Sequence, residues 1–69
     1  MIITQHAVDR YILRVRPMSH VEARRQLKGL LAAAEREAEF SDGTEHLRVG
    51  DLRLVAFNGH VLTCYLAGG

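Results

Sequence analysis

The chain has 69 residues, 48% of them hydrophobic and 25% charged, with nine Lys plus Arg against eight Asp plus Glu. That length supports one compact domain over residues 1–69, burying only about 60% of its unfolded surface, and the composition excludes wholesale disorder. A formal charge of +1 excludes a strong general attraction to nucleic acid or membrane, but the charge is unevenly spread. Arg10, Arg14, Arg16, Arg24, Arg25 and Lys28 crowd the front half, whereas Glu35, Glu37, Glu39, Asp42, Glu45 and Asp51 follow. A local positive patch is compatible with the small total.

The single cysteine, Cys64, excludes an internal disulfide framework and a multi-cysteine zinc site. A reducing, cytoplasmic setting is the expectation. No apolar run reaches the length of a membrane span, and no basic flank followed by a long apolar run marks a signal peptide.

In chain order, Ile2 and Ile3 form a short extended start. Thr4 is a helix cap, and residues 5–15 form a first helix, with Ala7, Val8, Tyr11, Ile12 and Val15 recurring on one side. Pro17 limits it, because the residue before proline is biased away from helical dihedrals. Ser19 and Glu22 make a capping box for a second helix over about 20–38. Its apolar stripe is Ala23, Leu27, Leu30, Leu31, Ala34 and Ala38, and Ser41-Asp42-Gly43 stops it. Gly29 inside it costs about 1 kcal/mol relative to alanine, and a close packing contact is the expected reason for it. The charges on this helix run against its dipole: Arg24, Arg25 and Lys28 come early, and Glu35, Glu37 and Glu39 come late.

Three strands follow, at Glu45–Val49, Leu52–Phe57 and His60–Leu66. Asn58-Gly59 is a strong two-residue hairpin signal. With two-residue loops, Val49, Leu52 and Tyr65 align, as do Leu47, Leu54 and Thr63, and then Ala56 and Val61. That face receives the helices. The opposite face carries Arg48, Arg53 and Cys64 in one row, and His46, Val55 and Leu62 in the next. Arg48 beside Arg53 repels unless an anion, an acid or water intervenes. The expected architecture is therefore α+β: two N-terminal helices packed on a three-stranded antiparallel meander.

His6, Arg10 and Arg14 recur every four residues, so they stack along one flank of the first helix. The arginine fork suits phosphate, and histidine exchanges protons near neutral pH. Together they outline a minimal phosphodiester site, with His6 as acid or base and the arginines neutralising developing charge. On the sheet, Tyr65 reads as a core or core-rim residue, and Thr63 as either a small neutral rim residue or a hydroxyl donor to an anion. Arg24, Arg25, Lys28, Arg48 and Arg53 are candidate binding residues. The alternative is a solvated flank. His6, His20, His46 and His60 lack the helical i,i+4 spacing of a zinc pair. With no phosphate loop and no dinucleotide fingerprint either, neither metal nor cofactor is expected.

The run Ile3-Thr4-Gln5-His6-Ala7-x-x-Arg10-x-x-x-Arg14, with the late Asn58-Gly59-His60-Val61-Leu62-Thr63-Cys64-Tyr65, resembles small domains related to the RelE/BrnT-type toxin superfamily. The resemblance implies a compact helix-plus-antiparallel-sheet fold, a metal-independent ribonuclease activity acting on RNA, and a cognate protein partner. It implies that His6, Arg10 and Arg14, together with Thr63 or Tyr65, inherit the catalytic role. The residues leave two other readings open: a non-catalytic module that binds nucleic acid or protein, and a small homodimer built on the mixed sheet face.

Overall fold

In the computed structural model, which describes residues 1–68, the element order is β1 (Ile2–Ile3), α1 (Gln5–Arg14), α2 (His20–Ala33), β2 (Glu35–Glu39), β3 (Thr44–Val49), β4 (Leu52–Phe57) and β5 (His60–Leu66). Two helices pack on a five-stranded mixed sheet of order β1-β5-β4-β3-β2. The expected three-stranded meander is corrected at both edges. β1 pairs parallel with the start of β5, at Ile2 with His60 and Ile3 with Val61. β2 adds an antiparallel strand beside β3.

Both helix starts follow the expected caps. The Thr4 hydroxyl accepts from the Ala7 amide at 3.2 Å, and the Ser19 hydroxyl accepts from the Glu22 amide at 3.1 Å. The capping box is only half made, because the Glu22 carboxylate turns to Arg25 and Gln26. Those hydrogen bonds, Arg25 first, hold the carboxyl below its ordinary pKa.

The second helix ends at Ala33, not near residue 38. Ala34 is extended, with ψ 146°, and Glu35–Glu39 is strand. Helix propensity favours these residues, but antiparallel pairing with β3 overrides it, from Glu35 with Arg48 to Glu39 with Glu45; Glu35 also reaches the Arg48 side chain at 3.4 Å and Glu37 reaches Arg53 at 2.9 Å. Leaving the helix also takes three carboxylates away from its negative end, the arrangement the dipole disfavours. Ser41-Asp42-Gly43 is therefore a hairpin turn, closed by Phe40 N to Thr44 O at 2.8 Å.

The β4–β5 register departs from the expected one by one residue. Phe57 pairs His60 and Ala56 pairs Val61, but Val55 pairs Thr63, which leaves Leu62 as an extra residue in β5. A one-residue slip exchanges the faces of everything beyond it. Cys64 faces the core opposite Leu54, while Thr63 and Tyr65 turn to the outer face opposite Val55 and Arg53. Leu66, not Tyr65, lies opposite Leu52. The core joins Ile3, Ala7, Val8 and Tyr11 to Ala23, Leu27, Leu47, Leu52, Leu54, Ala56, Val61 and Cys64.

Gly29 has no packing reason for being glycine, since a Cβ there would meet nothing within 4 Å. Gly29→Ala is therefore expected to stabilise the domain by about 1 kcal/mol, raising the melting temperature by about 4–8 °C in a calorimetric scan. A lowered melting temperature would show that the position is under a constraint that open space does not explain.

Candidate anion-binding edge on the first helix

The position of α1 is set where the chain leaves the sheet. Thr4 donates its hydroxyl to Val61 O at 2.7 Å, and its amide also bonds Val61 O, at 3.2 Å. One turn on, the Cys64 thiol lies 3.7 Å from Ala7 O. Helix residues 4 and 7 thus match strand residues 61 and 64, so α1 runs along β5 in the same direction.

One flank of α1 belongs to α2. Tyr11 donates its hydroxyl to the Gln26 side chain at 2.8 Å, and Gln5 and Asp9 meet His20 at 3.4 and 3.6 Å. His6, Arg10 and Arg14 occupy the opposite flank. His6 and Arg14 are exposed and Arg10 is half-exposed. Arg10 Nε lies 3.4 Å from His6 Nε2, a contact in which the guanidinium donates to an unprotonated ring nitrogen. The ladder expected from spacing is real for its first pair.

Thr63 and Tyr65 do not join it. The Leu62 bulge sends both to the sheet face away from the helices, where Tyr65 Oη lies 3.4 Å from His46 Nδ1. His46 also packs edge-on against Phe40, with ring centroids 5.0 Å apart. His60 contacts the Asn58 carbonyl instead. The five residues expected to form one catalytic group are thus split between the two faces of the sheet.

The candidate binding arginines divide in the same way. On the outer face Arg48 is paired with Glu35 and Arg53 with Glu37. The acids needed between the two arginines come from β2 of the same chain, so no second copy is required to supply them. On the helix layer, Arg24 donates to the Ile3 carbonyl. With Arg25, Lys28, His20, Val21 and Gln5 it lines an open groove of about 380 Å³. Arg25 is held by Glu22 at 2.5 Å, but Arg10, Arg14, Arg24 and Lys28 have no carboxylate partner among the described residues.

The result is a polar molecule. Residues 1–33 carry six Lys or Arg against two Asp or Glu, whereas residues 34–69 carry three against six. The sequence signal for this was the acidic run at 35–39, visible but assigned to the wrong element. No group of three or more metal-binding side chains is found among the described residues. Among the same residues, no helix is long and apolar enough to cross a membrane.

In comparison with known proteins, the chain matches no family model, no curated protein and no solved structure. The candidate site therefore rests on its own geometry.

Cys64 is a free, buried thiol. Burial pushes its thiol up to about 11, and the Arg14 and Arg10 charges only partly oppose that. At pH 8 roughly one thiol in a thousand is then ionised. An aromatic disulfide reagent should label the native protein far more slowly than the unfolded one. Equal rates would show that the thiol is neither buried nor shifted.

Proposed function

We propose that this domain binds the phosphate backbone of RNA with the basic side chains of its helix layer. The observation that carries the reading is the partition of charge. The arginines on the outer face of the sheet are each met by a carboxylate, while Arg10 and Arg14 on α1 and Arg24 and Lys28 on α2 are left unmatched. Unpaired surface cations of one sign gather counterions, and a polyanion that displaces those counterions gains affinity. The choice of RNA rests on the resemblance of the His6-Ala7…Arg10…Arg14 run to toxin-related domains, and a cytoplasmic setting belongs to the same reading.

A second reading, metal-independent cleavage, is favoured by one contact. His6 beside Arg10 puts a proton-exchanging group next to a fixed charge, the pairing a phosphodiester transition state uses. The separation of Thr63 and Tyr65 from that pair makes binding without cleavage the better-supported reading.

The test is binding of a labelled single-stranded RNA in chelator at several salt concentrations. Affinity should fall steeply with salt. Replacing Arg10 and Arg14 by alanine together should reduce the logarithmic salt slope by about 1.4, at about 0.7 per lost phosphate contact. Arg48→Ala with Arg53→Ala should leave the slope unchanged. Equal slopes in the two double variants would remove the reading. The same samples run on a gel decide the second one, which requires cleavage by the parent protein and its loss in His6→Ala.

A further inference from the structure

The two edges of the sheet are treated differently. β2 presents Glu35, Arg36, Glu37 and Glu39 on a five-residue strand, with an irregularity at Glu37 where the register shifts. Charge and bulging are the usual protections against unwanted strand pairing. At the other edge β1 covers only His60 and Val61. Beyond them Leu62-Thr63-Cys64-Tyr65-Leu66 contains no charged residue, no proline and no glycine. Among the described residues, no strand pairs with Thr63–Leu66 on that side, and no backbone hydrogen bond reaches them from Thr4 or α1. Leu62 and Leu66 are about 40% exposed (39% and 41%).

The ladder overhangs this edge. α1 runs along β5, its α2-facing flank is occupied, and His6, Arg10 and Arg14 lie on the other side. Arg14 and Arg10 are the two charges that act on the Cys64 thiol in β5. The open edge is therefore unprotected by its own residues and bordered by a cationic row.

We propose that the free edge of β5 from Thr63 to Leu66 receives an extended acidic segment of a partner protein by strand addition, with carboxylates at alternate positions facing His6, Arg10 and Arg14. The spacing carries the specificity. Residues four apart on a helix are separated by about 6 Å along its axis, and alternate residues of a strand by about 6.6 Å. A Glu-x-Glu segment lying along β5 thus keeps step with the ladder, while its backbone supplies the missing hydrogen bonds. A second copy of this chain does not fit: two β5 edges meeting would bring two cationic ladders together, and the acidic β2 edge is bulged at Glu37 with its carboxylates already engaged by Arg36, Arg48 and Arg53. Nucleic acid does not fit the edge itself, since it has no strand backbone to pair. The inference stands on the open edge and the ladder and does not require the RNA reading.

The experiment is a titration of isotope-labelled full chain with a capped heptapeptide alternating valine and glutamate, followed residue by residue by NMR and amide exchange. The expected result is slowed exchange and shifted signals at Thr63–Leu66, with β2 unaffected. Arg10→Glu with Arg14→Glu should weaken binding by about tenfold or more, and an unchanged β3–β4 spectrum would show that this variant is folded. The same peptide N-methylated at alternate residues keeps its charge but loses its backbone donors, so it should bind far more weakly. Equal binding of the N-methylated peptide would overturn strand addition in favour of simple charge attraction. No change at Thr63–Leu66 at millimolar peptide, or protection at Glu35–Glu39 instead, would overturn the site. Loss of RNA binding in the parent protein, with peptide protection retained, would sink the RNA reading alone.

Discussion

Thr4 is the joint on which the arrangement turns. Its hydroxyl accepts from the first turn of α1 and donates to Val61 of β5, and its amide bonds the same carbonyl. One residue therefore ends the parallel strand, starts the helix and pins the helix to the sheet. Because the chain lifts out of the sheet plane there, β1 stops after two residues and the rest of β5 is left without a neighbour on that side. Because the helix starts there, its axis follows β5 and its residues fall in order above that strand. The position of His6, Arg10 and Arg14 follows from this joint together with the 3.6-residue period.

The sheet supplies the complementary half of the electrostatics. β2 converts five residues of high helix propensity into an edge strand whose carboxylates reach Arg36, Arg48 and Arg53. The exposed pairs at Arg36 and Arg48 are each worth about 1 kcal/mol or less, so they do little for stability. Their larger effect is on the field: they silence the cations on the outer face and leave those on the helix layer as the net positive surface. A molecule with a total charge of +1 thereby acquires one basic side and one acidic side.

The Leu62 bulge decides the chemistry available near the ladder. Without it, Thr63 would lie on the core face beside α1 and Cys64 would lie outside. With it, the uncharged thiol fills the core under Ala7 and the hydroxyl-bearing residues leave for the opposite face. The core gains a small apolar group where a polar one would need a partner, and the ladder loses the neighbours that a complete acid–base group would need.

Local signals in the sequence determined the helix starts, because Thr4 and Ser19 satisfy free amides within their own first turns. They determined the hairpin at Asn58-Gly59, because positive φ at both residues, 50° and 78°, suits that pair. They also determined the flank on which His6, Arg10 and Arg14 stand, because the spacing of a helix is fixed. Three things were decided only by tertiary contacts. Glu35–Glu39 became strand because β3 offers it an antiparallel backbone partner from Glu45 to Arg48, although the misplaced acids at the end of a supposed helix were a readable warning. Ile2 and Ile3 paired with a strand nearly sixty residues away, which no local pattern encodes. Thr63, Cys64 and Tyr65 exchanged faces because one extra residue entered β5, and a two-residue periodicity carries no mark of where such a residue will be inserted.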